Sequence, residues 1–363
     1  MPATTTVGVI GCGQVSHMYL PILGRMPGVE VAAVADVDQE RAAQVAKKYD
    51  VPQATDPRTL LERSDIEVVV NLTPIAVHVE VSKAALTADK HLWSEKPLAP
   101  TLEQARELLA EADQRGLAVG CAPDTLLGSG FQAARAALAD GAVGTPLSAT
   151  GLMFRGAMGR ASFYTEGATP ILDMAPYYFS ALVNLFGPAV RVSGAAHTLR
   201  AGEEPTRPPA GAAIATAAVV EFANGLLANT ALVWGTDHPR EVPVLTVYGS
   251  DGELAAPNPN NFGDPAYVRR YGEDWKEVPD SRQPAELPHN LRGLGVGELA
   301  AAVRAGRKPR AGGDIACHVV DLITGLVRSA QTGERVELTT TCTPAPPLSV
   351  EERAALLGQG ERS

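Results

Sequence analysis

The sequence predicts an α/β N-terminal domain with a parallel sheet, followed by an α+β domain with a mostly antiparallel sheet. Three observations carry this. Over the first 120 residues, short apolar runs alternate with helical stretches. A glycine turn, "GCG" (11–13), joins the first run to the first helix. After about residue 121 the texture changes to long β-compatible strings broken by "NG" and "SDG".

Taken in order, "TVGVIG" (6–11), "VEVAAVAD" (29–36), "IEVVVNLT" (66–73), "KHLWSE" (90–95) and "LAVGC" (117–121) read as strands. "VSHMYLPILG" follows the first strand as a helix, and "QERAAQVAKKY" (39–49) follows the second. "TLEQARELLAEADQRG" (101–116) is an amphipathic helix stopped by Gly116, with Pro100 before it and Thr101 as its N-cap. Gln104 then stands at the third helical position, so "TLEQ" is expected to form a capping box. Beyond residue 121 come a helix in "GSGFQAARAALADG", a strand in "PLSATGLMF" and a helix in "TPILDMAPYYFSALVNLFG" (169–187). Two hairpin-like strings follow, 211–234 and 242–257, then helices over 296–306 and 314–333. Residues 200–212 are expected to be a loop, and the proline-rich tail a surface segment. The division expected is 1–121, 122–345 and a tail over 346–363.

Composition bounds the function. Acidic residues outnumber basic ones 41 to 31, for a formal charge of -10, so no general attraction to nucleic acid or an anionic membrane is expected. No apolar run is long enough to span a bilayer, and the start of the chain lacks the pattern of a signal peptide. Cys12, Cys121, Cys317 and Cys342 lie far apart without metal-ligand spacing, so no metal site is expected. Read as free thiols, they favour the cytoplasm.

The first turn points to a cofactor. Gly11 and Gly13 stand after a strand and before a helix, with Ser16 where the third small residue of a dinucleotide fingerprint belongs. Asp36 ends the second strand twenty residues after Ser16. Gly11 would allow the tight turn, Gly13 the approach of a pyrophosphate to the helix N-terminus, and Asp36 would hold the adenine ribose. A carboxylate there opposes a 2′-phosphate, which favours NAD, while Arg41 keeps NADP open.

Strand ends are where ligands gather in such sheets. "NLTPIAVH" (71–78) and "HLWSEKPLAPT" (91–101) include or follow two of them. Lys96 in "EKP" is either a surface lysine beside its glutamate or a group that polarises a substrate hydroxyl. Pro97 biases it towards extended backbone.

Together these residues carry a resemblance. "GCG", "ADVD", "TP…H" at 73–78, "EKP" at 95–97, "DGAVGTP" at 140–146 and "LDMAPYY" at 172–178 resemble the glucose–fructose oxidoreductase, inositol dehydrogenase and rhizopine catabolism protein (Gfo/Idh/MocA) family. The resemblance runs to about residue 342. It implies a Rossmann domain joined to a domain with a large open sheet, a nicotinamide cofactor, a sugar-like or cyclitol substrate and a homodimer or homotetramer. By position, it implies that Gly11, Gly13 and the backbone of Gln14 and Val15 hold the pyrophosphate. It places Thr73, Pro74 and His78 beside the cofactor, and Glu95 and Lys96 in the motif that supplies the family's catalytic lysine. His78 reads equally as an ordinary helix residue.

In the helix over 169–187, many members carry Asp-x-Gly followed by His; other branches carry Tyr. Here Asp173-Met174-Ala175-Pro176-Tyr177 matches, with Ala175 for the usual glycine. Tyr177 thus stands at the proton-transfer position. Asp173, four residues earlier, shares its helix face or caps the helix. Unperturbed tyrosine titrates near pH 10, and a neighbouring lysine cation favours phenolate. Tyr178 reads as packing. Arg155, Arg160, Tyr164, Glu166 and His318 are candidate substrate contacts. The expected activity is NAD(P)-dependent interconversion of a secondary alcohol and a ketone by hydride transfer. The alternatives are an oxidoreductase with tightly held cofactor acting on a nucleotide sugar or glycoside, and a non-catalytic NAD-binding redox sensor.

Overall fold

The structure, a computed structural model, describes residues 4–155, 170–198, 213–234 and 244–359. The chain divides into two compact units, and the first is assembled from three stretches: residues 1–127, 290–316 and 348–363.

Unit 1 is built on a parallel sheet. Its strands are β1 (Thr5–Ile10), β2 (Val29–Ala35), β3 (Ala54–Thr55), β4 (Val68–Asn71), β5 (His91–Ser94) and β6 (Val119–Cys121). The order is β3-β2-β1-β4-β5-β6, all neighbours parallel. Chain order therefore reverses between β1 and β4, the switch point at which such sheets bind ligands. Val7, Val9, Val34 and Val68 to Val70 have no exposed surface, as expected for strands covered on both faces. The intervening helices are α1 (Ser16–Leu23), α2 (Gln39–Tyr49), α3 (Pro57–Leu61), α4 (His78–Thr87) and α5 (Leu102–Arg115). Thr101 caps α5, accepting the Gln104 N–H at 3.3 Å. The Gln104 side chain meets the Thr101 hydroxyl at 3.2 Å, where the capping box would send it to the backbone.

Two late segments belong to this unit, although the sequence division assigns them to the second domain and the tail. Buried Asp124 accepts N–H bonds from Gly293 (2.8 Å) and Gly295 (3.0 Å) and so caps α8 (Leu294–Arg304). A Cβ on Gly295 would lie 2.0 Å from the Trp93 ring, so glycine lets this helix seat against β5. Glu298, 1% exposed, pairs with Arg307 and Arg310, and Arg310 reaches Glu352 on α10 (Val350–Leu356). The tail is thus anchored: Ser349 and Glu352 form a capping box, and Leu348 and Arg353 are buried. Charge pairing and one leucine accomplish what its composition does not advertise.

Unit 2 holds a nine-stranded mixed sheet among the described residues, ordered β14-β13-β12-β11-β7-β10-β9-β8-β15. Its strands are β7 (Pro146–Arg155), β8 (Ala189–Thr198), β9 (Ala213–Phe222), β10 (Leu227–Trp234), β11 (Leu245–Gly249), β12 (Gly252–Ala256), β13 (Tyr267–Arg270), β14 (Lys276–Glu277) and β15 (Val336–Glu337). The β7–β10 pair is parallel and the other pairs are antiparallel, which matches the expected largely antiparallel class. α6 (Ser129–Ala139), α7 (Pro170–Phe186) and α9 (Gly313–Thr332) complete the helices, α9 crossing the boundary between the units. Gly151 on β7 faces Tyr178 and Leu182 of α7, and Gly194 on β8 meets Leu326 and Ser329 of α9. The opposite face exposes Val219 and Leu227.

Candidate active site

In unit 1 the sites named from the sequence gather at the C-terminal strand ends. Gly11 adopts φ +102°, and a Cβ there would lie 2.7 Å from the Leu72 carbonyl. The turn after β1 therefore crosses the end of β4 at a distance that excludes any side chain. Gly13 has nothing within 4 Å of its Cβ position, leaving open space beside the helix start. Ser16 is buried and its hydroxyl closes the turn on the Gly13 carbonyl at 2.7 Å. No side chain caps α1 at Val15, so its N-terminus is presented through backbone, the arrangement that receives an anion. Gln14 is exposed there and Val15 half-buried.

Asp36 follows β2 directly and is buried. Its Oδ2 accepts the Cys12 N–H at 2.8 Å and its Oδ1 the Asp38 N–H at 3.0 Å. Those two bonds fix the carboxylate at the strand end. Burial and the nearby Asp36 push the Cys12 thiol up to about 12, so it stays protonated. The cradle, the open approach and the fixed acid together fit a dinucleotide.

The next turn is clasped from inside. Asn71, fully buried at the end of β4, accepts both the Thr73 N–H (3.1 Å) and the Thr73 hydroxyl (2.6 Å) on its Oδ1. Its amide donates to the His78 carbonyl and to Ser82 Oγ, both at 3.0 Å. The His78 ring is 2% exposed, with Nε2 2.6 Å from the Thr73 carbonyl and Nδ1 3.2 Å from the Pro97 carbonyl. Burial lowers its pKa despite the two carbonyls, and a neutral imidazole donates through one nitrogen. The ring therefore lies buried between the Thr73 turn and the loop after β5 and donates to one of the two carbonyls, as the ordinary helix residue that the sequence also allows. Pro74 stands exposed on that turn.

Glu95 also faces inward. Its Oε1 accepts the Tyr19 hydroxyl at 2.7 Å, and its Oε2 accepts the Lys96 N–H at 3.1 Å. Trp93 Nε1 donates to the same Tyr19 oxygen at 3.3 Å. Glu95 thus links the backbone of half-buried Lys96 to α1, the helix that follows the glycine turn.

Unit 2 holds a group of its own. α7 runs from Pro170, so Asp173 lies within its first turn and is not its cap. Asp173 (4% exposed) and Tyr177 (7% exposed) are one helical turn apart on one face. Tyr178 packs against Gly151 on β7, and burial raises its pKa although Arg155 opposes the shift. Arg155 reaches Met174 Sδ at 3.0 Å. His318, expected at substrate, is instead fully buried, accepting the Ala189 N–H at 3.0 Å and meeting the Thr340 hydroxyl at 2.8 Å. It is a core histidine satisfied through both nitrogens. Arg160, Tyr164 and Glu166 lie outside the described residues.

Three residues escaped the sequence reading. Asn71 was signalled by an amide ending an apolar strand, but Tyr19 carries no local signal. Trp234 pairs in register with Arg155, and its buried Nε1 has no acceptor among the described residues.

Comparison with known proteins agrees with this architecture. Residues 5–122 match the Gfo/Idh/MocA profile described as an oxidoreductase family with an NAD-binding Rossmann fold. Residues 131–255 match the C-terminal domain of the same family. The chain is 32% identical over 143 residues to 1,5-anhydro-D-fructose reductase of Ensifer adhaerens, covering 39% of this chain and 43% of that protein. It is 38% identical over 112 residues to dTDP-3,4-didehydro-2,6-dideoxy-alpha-D-glucose 3-reductase of Actinomadura kijaniata, covering 31% of this chain and 34% of that one. These matches span less than half of each relative. Levoglucosan dehydrogenase in complex with NADH and L-sorbose superimposes with a TM-score of 0.82 at 19% identity, covering 93% of this chain and 100% of that one. Aldose-aldose oxidoreductase from Caulobacter crescentus gives 0.79 at 20%, covering 92% and 100%. With matching profiles over both units in the same order, the chain belongs to the Gfo/Idh/MocA oxidoreductase family and carries its NAD-binding Rossmann fold.

Proposed function

We propose that the protein is an NAD-dependent dehydrogenase or reductase that interconverts a secondary alcohol and a ketone on a sugar, sugar derivative or cyclitol. The observation that carries this is the fixing of Lys96 at the C-terminal end of β5 by Glu95, beside the switch point of a dinucleotide-binding sheet. Nicotinamide, when bound, accepts or returns a hydride. Lys96 would donate a hydrogen bond to the reacting oxygen. Tyr177 or Lys96 would take the hydroxyl proton in oxidation and return it in reduction. Asp173 would bind a neighbouring hydroxyl. Gly11, Gly13 and Asp36 would bind the cofactor, with Thr73 and Pro74 shaping the turn beside it.

A second substrate class draws support from the relatives named as dTDP-ketosugar 3-reductases. On that reading the direction is reduction, and Arg155 would meet the diphosphate. A screen of free sugars, cyclitols and nucleotide sugars with NADH and NADPH, read by absorbance of the reduced cofactor, separates the two. Turnover of free polyols alone favours the first, and of nucleotide sugars alone the second. No turnover of either, with cofactor bound, contradicts both.

Self-association belongs to the proposal. The open face of the unit 2 sheet exposes Val219 and Leu227, supporting a homodimer or homotetramer that light scattering would register.

A further inference from the structure

The adenosine end of the cofactor cradle holds a charge arrangement that the sequence motif does not describe. Arg41, on the first turn of α2, extends back over the strand end. Its Nη1 lies 3.6 Å from Asp36 Oδ1 and its Nη2 lies 3.1 Å from Asp38 Oδ2. Asp38 holds the residue twice, since its Oδ1 also accepts the Arg41 backbone N–H at 3.1 Å as the cap of α2. Asp38 further donates its own N–H to Asp36. Two carboxylates and one guanidinium leave this corner with one net negative charge. The guanidinium is half exposed and Val37 beside it is 89% exposed, so Arg41 has room to turn outward.

We propose that Asp38 is a specificity-determining residue for the cofactor: by folding Arg41 onto the acidic pair, it withholds the guanidinium from a 2′-phosphate. Asp36 alone accounts for hydrogen bonding to a ribose diol. It does not account for the arginine one helical turn away, which suits a phosphate by charge and fork geometry. Asp38 supplies the restraint. The selectivity for NAD over NADP is therefore shared between the carboxylate that meets the ribose and the one that occupies the competing cation.

Asp38→Asn separates these roles. Asparagine caps a helix as well as aspartate, so the start of α2 is retained while the closer of the two Arg41 ion pairs is lost, the longer one to Asp36 remains and the net charge of the corner goes from minus one to zero. Dissociation constants of NADH and NADPH are measured by fluorescence titration on the whole chain, without substrate. The readout is their ratio, from which a general loss of affinity divides out. Relative to wild type, the ratio is expected to shift about tenfold towards NADPH in Asp38→Asn, the effect of one additional charge-assisted hydrogen bond to the phosphate. Made in an Arg41→Gln background, Asp38→Asn is expected to leave the ratio within about twofold of that of Arg41→Gln alone. A ratio changed less than about twofold in the single variant overturns the proposal. So does a shift of similar size between Arg41→Gln and Asp38→Asn/Arg41→Gln, since removal of the Asp38 charge would then explain it without Arg41. Wild type that binds neither nucleotide contradicts the cofactor assignment itself, a failure seen before any variant is made.

Discussion

Tyr19 and Glu95, 76 residues apart, are joined by a 2.7 Å hydrogen bond that links the helix after the glycine turn to the loop carrying Lys96. The same hydroxyl accepts from Trp93, and the other Glu95 oxygen accepts from Lys96. Tyr19→Phe removes the shared oxygen and leaves a buried indole N–H and a carboxylate oxygen without their partner. A loss of about 1–3 kcal/mol is expected in chemical denaturation. If the link serves only packing, stability falls while turnover per folded molecule is unchanged. If it positions Lys96, kcat falls with little change in KM.

Asp124 predicts a pH signature. Burial raises its carboxyl to about 6, against the two glycine N–H bonds that favour the charge. A carboxyl of ordinary pKa near 3.9 in the unfolded chain is thus more easily protonated once folded. The stability this group lends is complete below about pH 4 and is lost as pH rises through about 6. Asp124→Asn keeps an acceptor oxygen for Gly293 and Gly295 without the buried charge. The variant should match wild type near pH 4 and exceed it by about 2–3 kcal/mol above pH 7, measured by denaturant titration at each pH.

Gly11→Ala tests the cradle. Alanine at φ +102° is strained, and its Cβ would strike the Leu72 carbonyl. NADH affinity should fall at least about tenfold in a fluorescence titration, equivalent to the roughly 1–2 kcal/mol of left-handed strain. Unchanged affinity would show that this turn does not shape the cofactor site.

Much of this was legible in the sequence because it depends on local signals. Alternating apolar runs and helices implied the parallel sheet, and Gly11, Gly13 and Asp36 fell at strand ends because turn chemistry and strand length place them there. The direction of Glu95 was not legible, and that of His78 stood open between cofactor contact and packing. Both stand in motifs beside the cofactor strands, yet each turns inward to partners supplied by other elements: Thr73 and Pro97 for one, Tyr19 for the other. His318 failed for the same reason, since its partners Ala189 and Thr340 are distant in the chain. The return of residues 290–316 to unit 1 depends on Asp124 capping a helix about 170 residues later, a long-range pairing with no local mark.

On α7, Tyr177→Phe removes the phenol while keeping the ring. The proposed acid–base role predicts a fall in kcat of about 10²–10⁴-fold with NADH affinity unchanged. Tyr178→Phe, at a packing position, should leave kcat within a few fold. Equal effects of the two variants would contradict the assignment.

The most direct measurement is single-turnover hydride transfer in Lys96→Met, using the substrate found in the screen and following NADH absorbance. The account predicts that the variant binds NADH within about threefold of wild type and transfers hydride at least about 10³-fold more slowly. Transfer within about tenfold of wild type would show that Lys96 is not the group on which the chemistry depends.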